Sequence, residues 1–334
     1  MLKRERFFIV SHLPVFYGER VTPKVPWTPL DITLILLAWL LAMLMGTLFY
    51  GLLVPPKIQG QYDMADDNRT LTVIFLPENH YESDEHKGTY QFPGKPPMQN
   101  RHTLILRPEL GGEYTVNFPG TTRDRVGIIA VNLIFGQGSV VILIMLLLVK
   151  YRLRWKNAFG GLHDPTQTIA LPILISSLIL CPLMALHIIS QDFVSYFGGT
   201  LTPQQAVQMV SAAENPAEIA LQAFSVVFMA PIAEELLFRG VVYNSIKQIG
   251  YQRTAIAVSA ILFAIVHSSW ALMLPFIVLA LTLVWLYEKT GSLFAPMVLH
   301  ASFNAINFAM IKLVPPEQME HLQNTFRSII YFWK

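Results

Sequence analysis

Apolar residues run in long blocks along most of this 334-residue chain, and polar residues collect in the gaps between them. A helix crosses a bilayer core of about 30 Å with roughly 17–25 mostly apolar residues. The stretches 32–54, 126–149, 168–190, 217–240, 253–270, 272–288 and 292–313 meet or approach that length. The pattern predicts an all-α polytopic membrane helical bundle of about seven spans. The stretches 253–270 and 272–288 are the shortest and almost touch, so a tight hairpin is expected there. The first block starts only after a polar tail, residues 1–31, and lacks the short core and small-residue cleavage site of a removable signal. It is expected to stay as an uncleaved anchor behind a cytoplasmic tail.

One long gap breaks the helical pattern. Residues 55–124 contain Thr70-Leu-Thr-Val-Ile-Phe, His102-Thr-Leu-Ile-Leu and Glu113-Tyr-Thr-Val-Asn-Phe. These are rich in β-branched and aromatic residues, and Pro and Gly clusters such as Phe92-Pro-Gly-Lys-Pro-Pro separate them. A small β-rich extracytoplasmic insert is expected, with a core thin enough that it leans on the membrane or on a partner. The resulting order is tail 1–31, span 32–54, insert 55–124, spans and loop 125–214, polar-bearing core 215–312 and tail 313–334.

Composition agrees with this picture and narrows it. Hydrophobic residues make up 53% and charged residues 14%, with a mean hydropathy of +0.45. A net charge of +2 gives no case for nucleic acid as a partner. Cys181 is the single cysteine, so no internal disulfide and no cysteine-based metal cage can form. It is expected to be an inert packing thiol. Lys and Arg mark the cytoplasmic loops. Lys3, Arg4, Arg6, Arg20 and Lys24 lie in the tail, and Lys150, Arg152, Arg154 and Lys156 follow the second span. The turn from Lys247 to Arg253 and the one at Lys289 are basic as well, whereas 191–218 carries neither Lys nor Arg. This alternation places the N-terminus inside and the insert outside. The tail after 313 falls outside despite Lys312, Arg327 and Lys334.

Ionisable groups within hydrocarbon are expensive, so their presence points to function. Glu234-Glu235 with Arg239, Phe263 with His267, and His300 with Asn304 all sit inside consecutive apolar blocks. Depths can be compared at 1.5 Å of helix rise per residue. Glu234 and His267 each lie roughly 24–26 Å from a turn at Gly250, and His300 and Asn304 lie roughly 14 and 20 Å from one at Gly291. With the Gly250 hairpin protruding below the membrane by a turn or two, the groups are expected to converge in one site within the cytoplasmic half of the bilayer. Spacing of four pairs Glu235 with Arg239 on one helix face and turns Glu234 away by about 100°. A carboxylate at low dielectric can act as a general base on water. Histidines opposite it can stabilise an oxyanion or bind a metal, and Asn304 can donate an amide hydrogen. Arg239 can keep Glu235 ionised. This set suits hydrolysis of an amide.

Other polar groups are expected to play structural parts. His187, Asn132 and Gln222 are isolated and suit hydrogen bonds between helices. Gly136-Gln-Gly-Ser suits close helix packing. Tyr243 and Asn244, one turn beyond Arg239, are candidates to line an entrance.

The ordered motifs Glu234-Glu235-x-x-x-Arg239, Phe263-x-x-x-His267 and His300-x-x-x-Asn304 resemble the CPBP family of intramembrane endopeptidases. That family includes the type II CAAX prenyl endopeptidase and bacterial relatives linked to bacteriocin immunity. The resemblance covers 215–312. It implies that Glu234 is the water-activating base, assisted by His267. His300 and Asn304 would form the oxyanion site, and Glu235, Arg239 and Phe263 would support it. A membrane protein or lipidated peptide in the bilayer would be the substrate. The family has been described both with and without a metal. A divalent ion such as zinc, if used, would take Glu234, His267 and His300. The insert departs from the family's compact plan, which argues against simple transfer of a CAAX substrate and makes the insert a candidate partner-binding element.

Two other classes compete with a peptidase. One is a non-catalytic scaffold or immunity protein that keeps the motifs for structure. The other is an ion or proton transporter, which the absence of an inverted repeat disfavours. In each case an integral multi-pass protein of the cell membrane is expected. A cysteine placed at Ser83 in the insert, in a Cys181→Ala background, is expected to react with an impermeant thiol reagent on intact cells. Labelling only after lysis would reverse the topology.

Overall fold

A computed structural model describes residues 23–53, 59–64, 70–76, 80–83, 85–91, 102–118, 125–199, 204–213, 215–267 and 269–330. Lys3, Arg4, Arg6, Arg20, Lys334 and the Pro-rich stretch 92–97 lie outside the described residues. Among the described residues, six helices are long and apolar enough to cross a membrane. They are α1 (Pro29–Leu52), α2 (Val126–Lys150), α4 (Thr166–Tyr196), α6 (Pro216–Gln248), α8 (Trp270–Thr290) and α9 (Phe294–Leu313). Shorter helices are α3 (Trp155–Phe159), α5 (Gln205–Ala212), α7 (Gln252–Val266) and α10 (Pro316–Ile330).

The polytopic bundle is as expected, but the span expected over 253–270 is corrected. Helix α7 has 15 residues, a rise of roughly 22 Å, short of the ~30 Å bilayer core. It stops at Val266 because His267 turns its side chain back on the helix. The ring Nδ1 lies 2.6 Å from the Phe263 carbonyl, while the His267 N–H takes the Ala264 carbonyl. Carbonyls left open by a helix end are thereby satisfied. The expected hairpin is present, with α7 and α8 packed side by side. Residues 313–334, expected as a tail, instead hold α10, whose Arg327 pairs with Asp192 of α4 at 2.8 Å. Cys181 also departs from expectation and lies exposed on α4 rather than packed.

The chain divides into two compact units. The smaller comprises residues 39–136 and 215–221 and carries the β-rich insert. Its strands are β1 (Gln59–Met64), β2 (Thr70–Leu76), β3 (His80–Ser83), β4 (Lys87–Gln91), β5 (His102–Pro108) and β6 (Tyr114–Phe118). They pair antiparallel in sequence order and close β1 on β6, so this barrel leaves no open sheet edge. Val73, Tyr81 and Leu106 are fully buried within it. Strands β2, β5 and β6 match the three apolar stretches; β1, β3 and β4 are polar segments that carry no strand pattern. Within this unit Gly46 admits the Phe135 ring so closely that a Cβ would sit 2.4 Å from it. Leu110, 98% exposed beyond β5, offers the cleanest position for a cysteine reporter.

The larger unit comprises 1–38, 137–214 and 222–334 and carries the polar motifs. One of its ends is tied together by contacts distant in sequence. Asp31, at the start of α1, accepts from Lys150, from the Tyr151 hydroxyl (2.6 Å) and from Thr28. Residues 23–28 form a strap in which Val25 donates to Gln248 and Gln248 donates to the Trp27 carbonyl, each at 3.2 Å. Trp27 packs on Phe159. Gly160, at φ +79°, lies against Gly291, and Leu293 donates to the Phe159 carbonyl at 2.8 Å.

A Cβ at Gly160 would meet the Gly291 carbonyl at 2.0 Å. Gly160→Ala is therefore expected to lower the thermal midpoint in detergent by more than the ~1–2 kcal/mol that left-handed backbone costs an L-residue. Gly250→Ala is the control, because Gly250 has φ +95° with nothing within 4 Å. Equal shifts for the two variants would show that the Gly160–Gly291 contact does not bear on stability.

Candidate active site

Helix α6 changes its winding around the acidic pair. It is π-helical over Phe224–Met229, α-helical over Ala230–Glu235, π-helical over Leu236–Tyr243 and α-helical again over Asn244–Gln248. Pro231 explains the first wide turn: it has no N–H to donate and its ring crowds the carbonyl four residues back. Side chains support carbonyls of the second. Ser259 donates to Phe238 at 3.3 Å, Asn244 to Gly240 at 3.3 Å and Ser245 to Val241 at 2.6 Å.

The motif residues come together. Glu235 and Arg239 are fully buried and paired at 2.9 Å. The Arg239 guanidinium also donates to the Ala280 carbonyl of α8 at 3.2 Å and lies 4.7 Å from the Phe263 ring centre. Glu234 points the other way and keeps 28% of its side chain exposed. His267, at the end of α7, and His300, on α9, each place Nε2 3.8 Å from Glu234 Oε2. His300 Nδ1 lies 3.1 Å from the same Glu235 oxygen that Arg239 holds. Phe263 sits between these groups, 4.7 Å from the His267 ring and 5.6 Å from the His300 ring.

Hydrogen bonds on Nδ1 set what each Nε2 offers. His267 Nδ1 faces a backbone carbonyl and must carry the proton, so a neutral His267 turns a lone pair toward Glu234. His300 Nδ1 faces a carboxylate. Its Nδ1–H donates to that carboxylate, and Nε2 is a donor as well when the ring carries a proton there. Glu234 Oε2 is buried and has no hydrogen-bond partner among the described residues.

Asn304 joins the site less directly than the spacing suggested. One of its amide hydrogens goes to the Val226 carbonyl at 2.9 Å, which ties α9 to the first π turn of α6. Tyr243 and Asn244 do not line an entrance. Both are buried, with Tyr243 donating to Glu288 at 2.9 Å and Asn244 to the Tyr287 hydroxyl at 2.8 Å. Glu288 also takes Lys247 at 2.6 Å. His187 and Gln222 behave as expected and bond to the Ala271 and Met209 carbonyls. Sequence reasoning missed Phe276, whose ring lies tilted against His267 with centres 4.3 Å apart, because nothing in an apolar block marks one aromatic from another. It also missed Lys247 and Glu288, whose signal was a pair of opposite charges at the ends of neighbouring spans.

Among the described residues, no three acidic, imidazole or thiol groups are arranged to hold a metal ion. Glu234, His267 and His300 come nearest, but the histidine–carboxylate gaps of 3.8 Å are wider than the ~3.4 Å that bonds of 2.0–2.1 Å to tetrahedral zinc would set.

A half-buried carboxylate, two imidazoles and a buried ion pair thus meet at one place among the apolar helices. Residues 216–306 match the family model described as type II CAAX prenyl endopeptidase Rce1-like, and the CPBP resemblance of the motifs is borne out over that segment. The chain is similar to the UPF0177 protein YxdF of Lactococcus lactis subsp. lactis (strain IL1403). The two are 34% identical over 98 residues, which make up 29% of this chain and 53% of that protein. The chain thus spans about half the length of this curated relative. No solved structure matches it.

Removing Arg239 would leave Glu235 charged and out of water. Arg239→Met is expected to destabilise the fold by about 3–5 kcal/mol. The double variant Glu235→Gln, Arg239→Met should recover part of that loss in detergent melts. A double variant no more stable than Arg239→Met would show that charge burial is not the cause.

Proposed function

We propose that this protein is an intramembrane endopeptidase that hydrolyses a peptide bond of a membrane-associated protein with a water activated by Glu234. The observation that carries this reading is the free Glu234 Oε2, buried and faced by two imidazole nitrogens at 3.8 Å. A water at normal hydrogen-bond distances of about 2.8 Å fits between such groups. Glu234 takes its proton, and the neutral His267 lone pair holds the second hydrogen and orients the oxygen. The attacked carbonyl gathers negative charge, for which His300, backed by Glu235, supplies Nε2–H. The uncommitted amide hydrogen of Asn304 is a second donor. Glu234 then returns its proton to the leaving amine. Arg239 and Phe263 hold the pair and the rings in place and do not touch substrate. The match to a CAAX prenyl endopeptidase model supports the reaction class. A divalent ion at Glu234, His267 and His300 is the alternative way to activate the water.

Glu234→Gln is expected to lower peptide release by at least about 10²–10⁴-fold, with an unchanged thermal midpoint. Release can be read by mass spectrometry of terminal peptides from membranes that hold the wild type or the variant. Turnover at the wild-type rate by Glu234→Gln sinks the mechanism. Loss of wild-type activity in chelator, restored by added zinc, would select the metal form instead.

A further inference from the structure

Helix α8 supplies none of the motif residues, yet it touches both halves of the site. Arg239 of the buried ion pair donates to its Ala280 carbonyl at 3.2 Å. One turn earlier, Phe276 lies against His267, with ring centres 4.3 Å apart and planes inclined at 44°. Phe263 faces the same imidazole from 4.7 Å, and the two phenyl rings meet edge to face at 6.2 Å. Behind the Nε2 edge, three polar or aromatic contacts thus hold the imidazole among the described residues. They are the bond from Nδ1 to the Phe263 carbonyl, the Phe263 ring and the Phe276 ring. Both parts of Phe263 belong to α7, the helix that His267 ends, and move with it. Of the three contacts, only Phe276 comes from another element.

His267 needs such a contact because of where it stands. It caps α7, so no further helical turn braces it. One hydrogen bond leaves a ring able to swing about the N–H···O axis, and packing from a second element locks the rotamer. The start of α8 is itself fixed. Pro275 is buried in its first turn, where a missing N–H costs nothing. Just before it, the Ala271 and Trp270 carbonyls accept from His187 and Ser190 of α4 at 3.2 and 3.3 Å.

We infer that Phe276 is a positioning residue: it ties His267 to α8 and so fixes the 3.8 Å gap between Nε2 and Glu234; this rests on the peptidase reading for the use made of that gap. Phe276 and Ala280 stand four residues apart, roughly 6 Å along α8. The first holds His267 and the second holds Arg239. Helix α8 thereby sets the spacing between imidazole and acidic pair without a group in the chemistry. The contact also selects the tautomer. While the ring stays against Phe276, Nδ1–H stays on the Phe263 carbonyl and Nε2 turns its lone pair toward Glu234. A ring that swings away exchanges between its two neutral tautomers.

Nitrogen chemical shifts of isotope-labelled histidine test this without depending on catalysis. The full chain in detergent is used, with the His267 signals assigned through His267→Gln. With the ring neutral, the wild type is expected to show the Nδ1–H tautomer alone. Phe276→Ala is expected to show both tautomers, and Phe276→Tyr, which keeps the ring, to show one. Release of terminal peptides should fall about 10–10²-fold in Phe276→Ala, the scale of a misplacement near 1 Å, and Phe276→Tyr should restore most of it. Leu283→Ala is the control. It empties a buried position on the same helix, so it lowers the thermal midpoint and leaves the tautomer as in the wild type. Where Phe276→Ala does not fold, Phe276→Leu takes its place with the same expectation. A single Nδ1–H tautomer in that variant, whatever its turnover, overturns the inference, as does an equal mixture of tautomers in Leu283→Ala. If Glu234→Gln keeps wild-type turnover while Phe276→Ala still mixes the tautomers, the peptidase reading fails and the placement of His267 by Phe276 stands.

Discussion

Glu235 and Arg239 are both stripped of water, and four helices are organised around that fact. Desolvating two charges costs several kcal/mol each, and the cost is recovered only where the remaining hydrogen-bonding capacity is met. Arg239 meets most of its share through Glu235, the Ala280 carbonyl of α8 and the Phe263 face on α7, with only Nε left unpartnered among the described residues. Glu235 meets part of its share through Oε1, which takes Arg239 and lies beside His300 of α9, while its Oε2 is buried without a partner among the described residues. One residue earlier, Glu234 is left over, without a partner for Oε2. The pair consumes the obvious donors, so the neighbour's Oε2 faces only the two imidazole nitrogens at 3.8 Å. A structural ion pair and a chemical group are thus made by two adjacent residues of the same type, separated by a turn of about 100°.

Much of this is legible in the sequence because helices obey simple counting. Equal distances from the Gly250 turn place Glu234 and His267 at one depth, and spacing of four pairs Glu235 with Arg239. Counting fails where winding changes. Counting makes Tyr243 and Asn244, one turn past Arg239, no more than minor candidates to line an entrance. The segment between, Leu236–Tyr243, is π-helical, and its wider turns rotate both residues into the packed core. The early end of α7 is hidden for a different reason. The residue that stops the helix, His267, draws attention for its chemistry, and its own backbone bond to Phe263 does not show in an apolar count. In the barrel, strands with one apolar face are visible. Gln59–Met64, His80–Ser83 and Lys87–Gln91 become strands through pairing with their neighbours, a non-local effect.

Asn304 shows how one side chain can answer to two demands. Its spacing from His300 suits a donor over the site, and its bond to Val226 secures α9 against the first wide turn of α6. That turn exists because of Pro231. The proline sets the carbonyl that Asn304 grips, three residues before the acidic pair begins. The positions of Glu234 and of the α9 wall opposite it therefore depend on the same local distortion.

The dense packing between His300 and the Gly291 turn also has an electrical consequence. Only nine residues of helix separate the two, roughly 14 Å, against about 30 Å of hydrocarbon elsewhere. If water fills the space above Glu234, nearly all of the transmembrane voltage falls across that layer. The local field is then about twice its value in the surrounding bilayer. A carboxylate and two imidazoles standing at the edge of such a layer would pass protons through any file of water that crossed it. The buried Tyr243 and Tyr287, the Lys247–Glu288 pair and the Glu235–Arg239 pair occupy that layer. Dense packing on one side of a polar site is thus also what a membrane needs there to stay closed to protons.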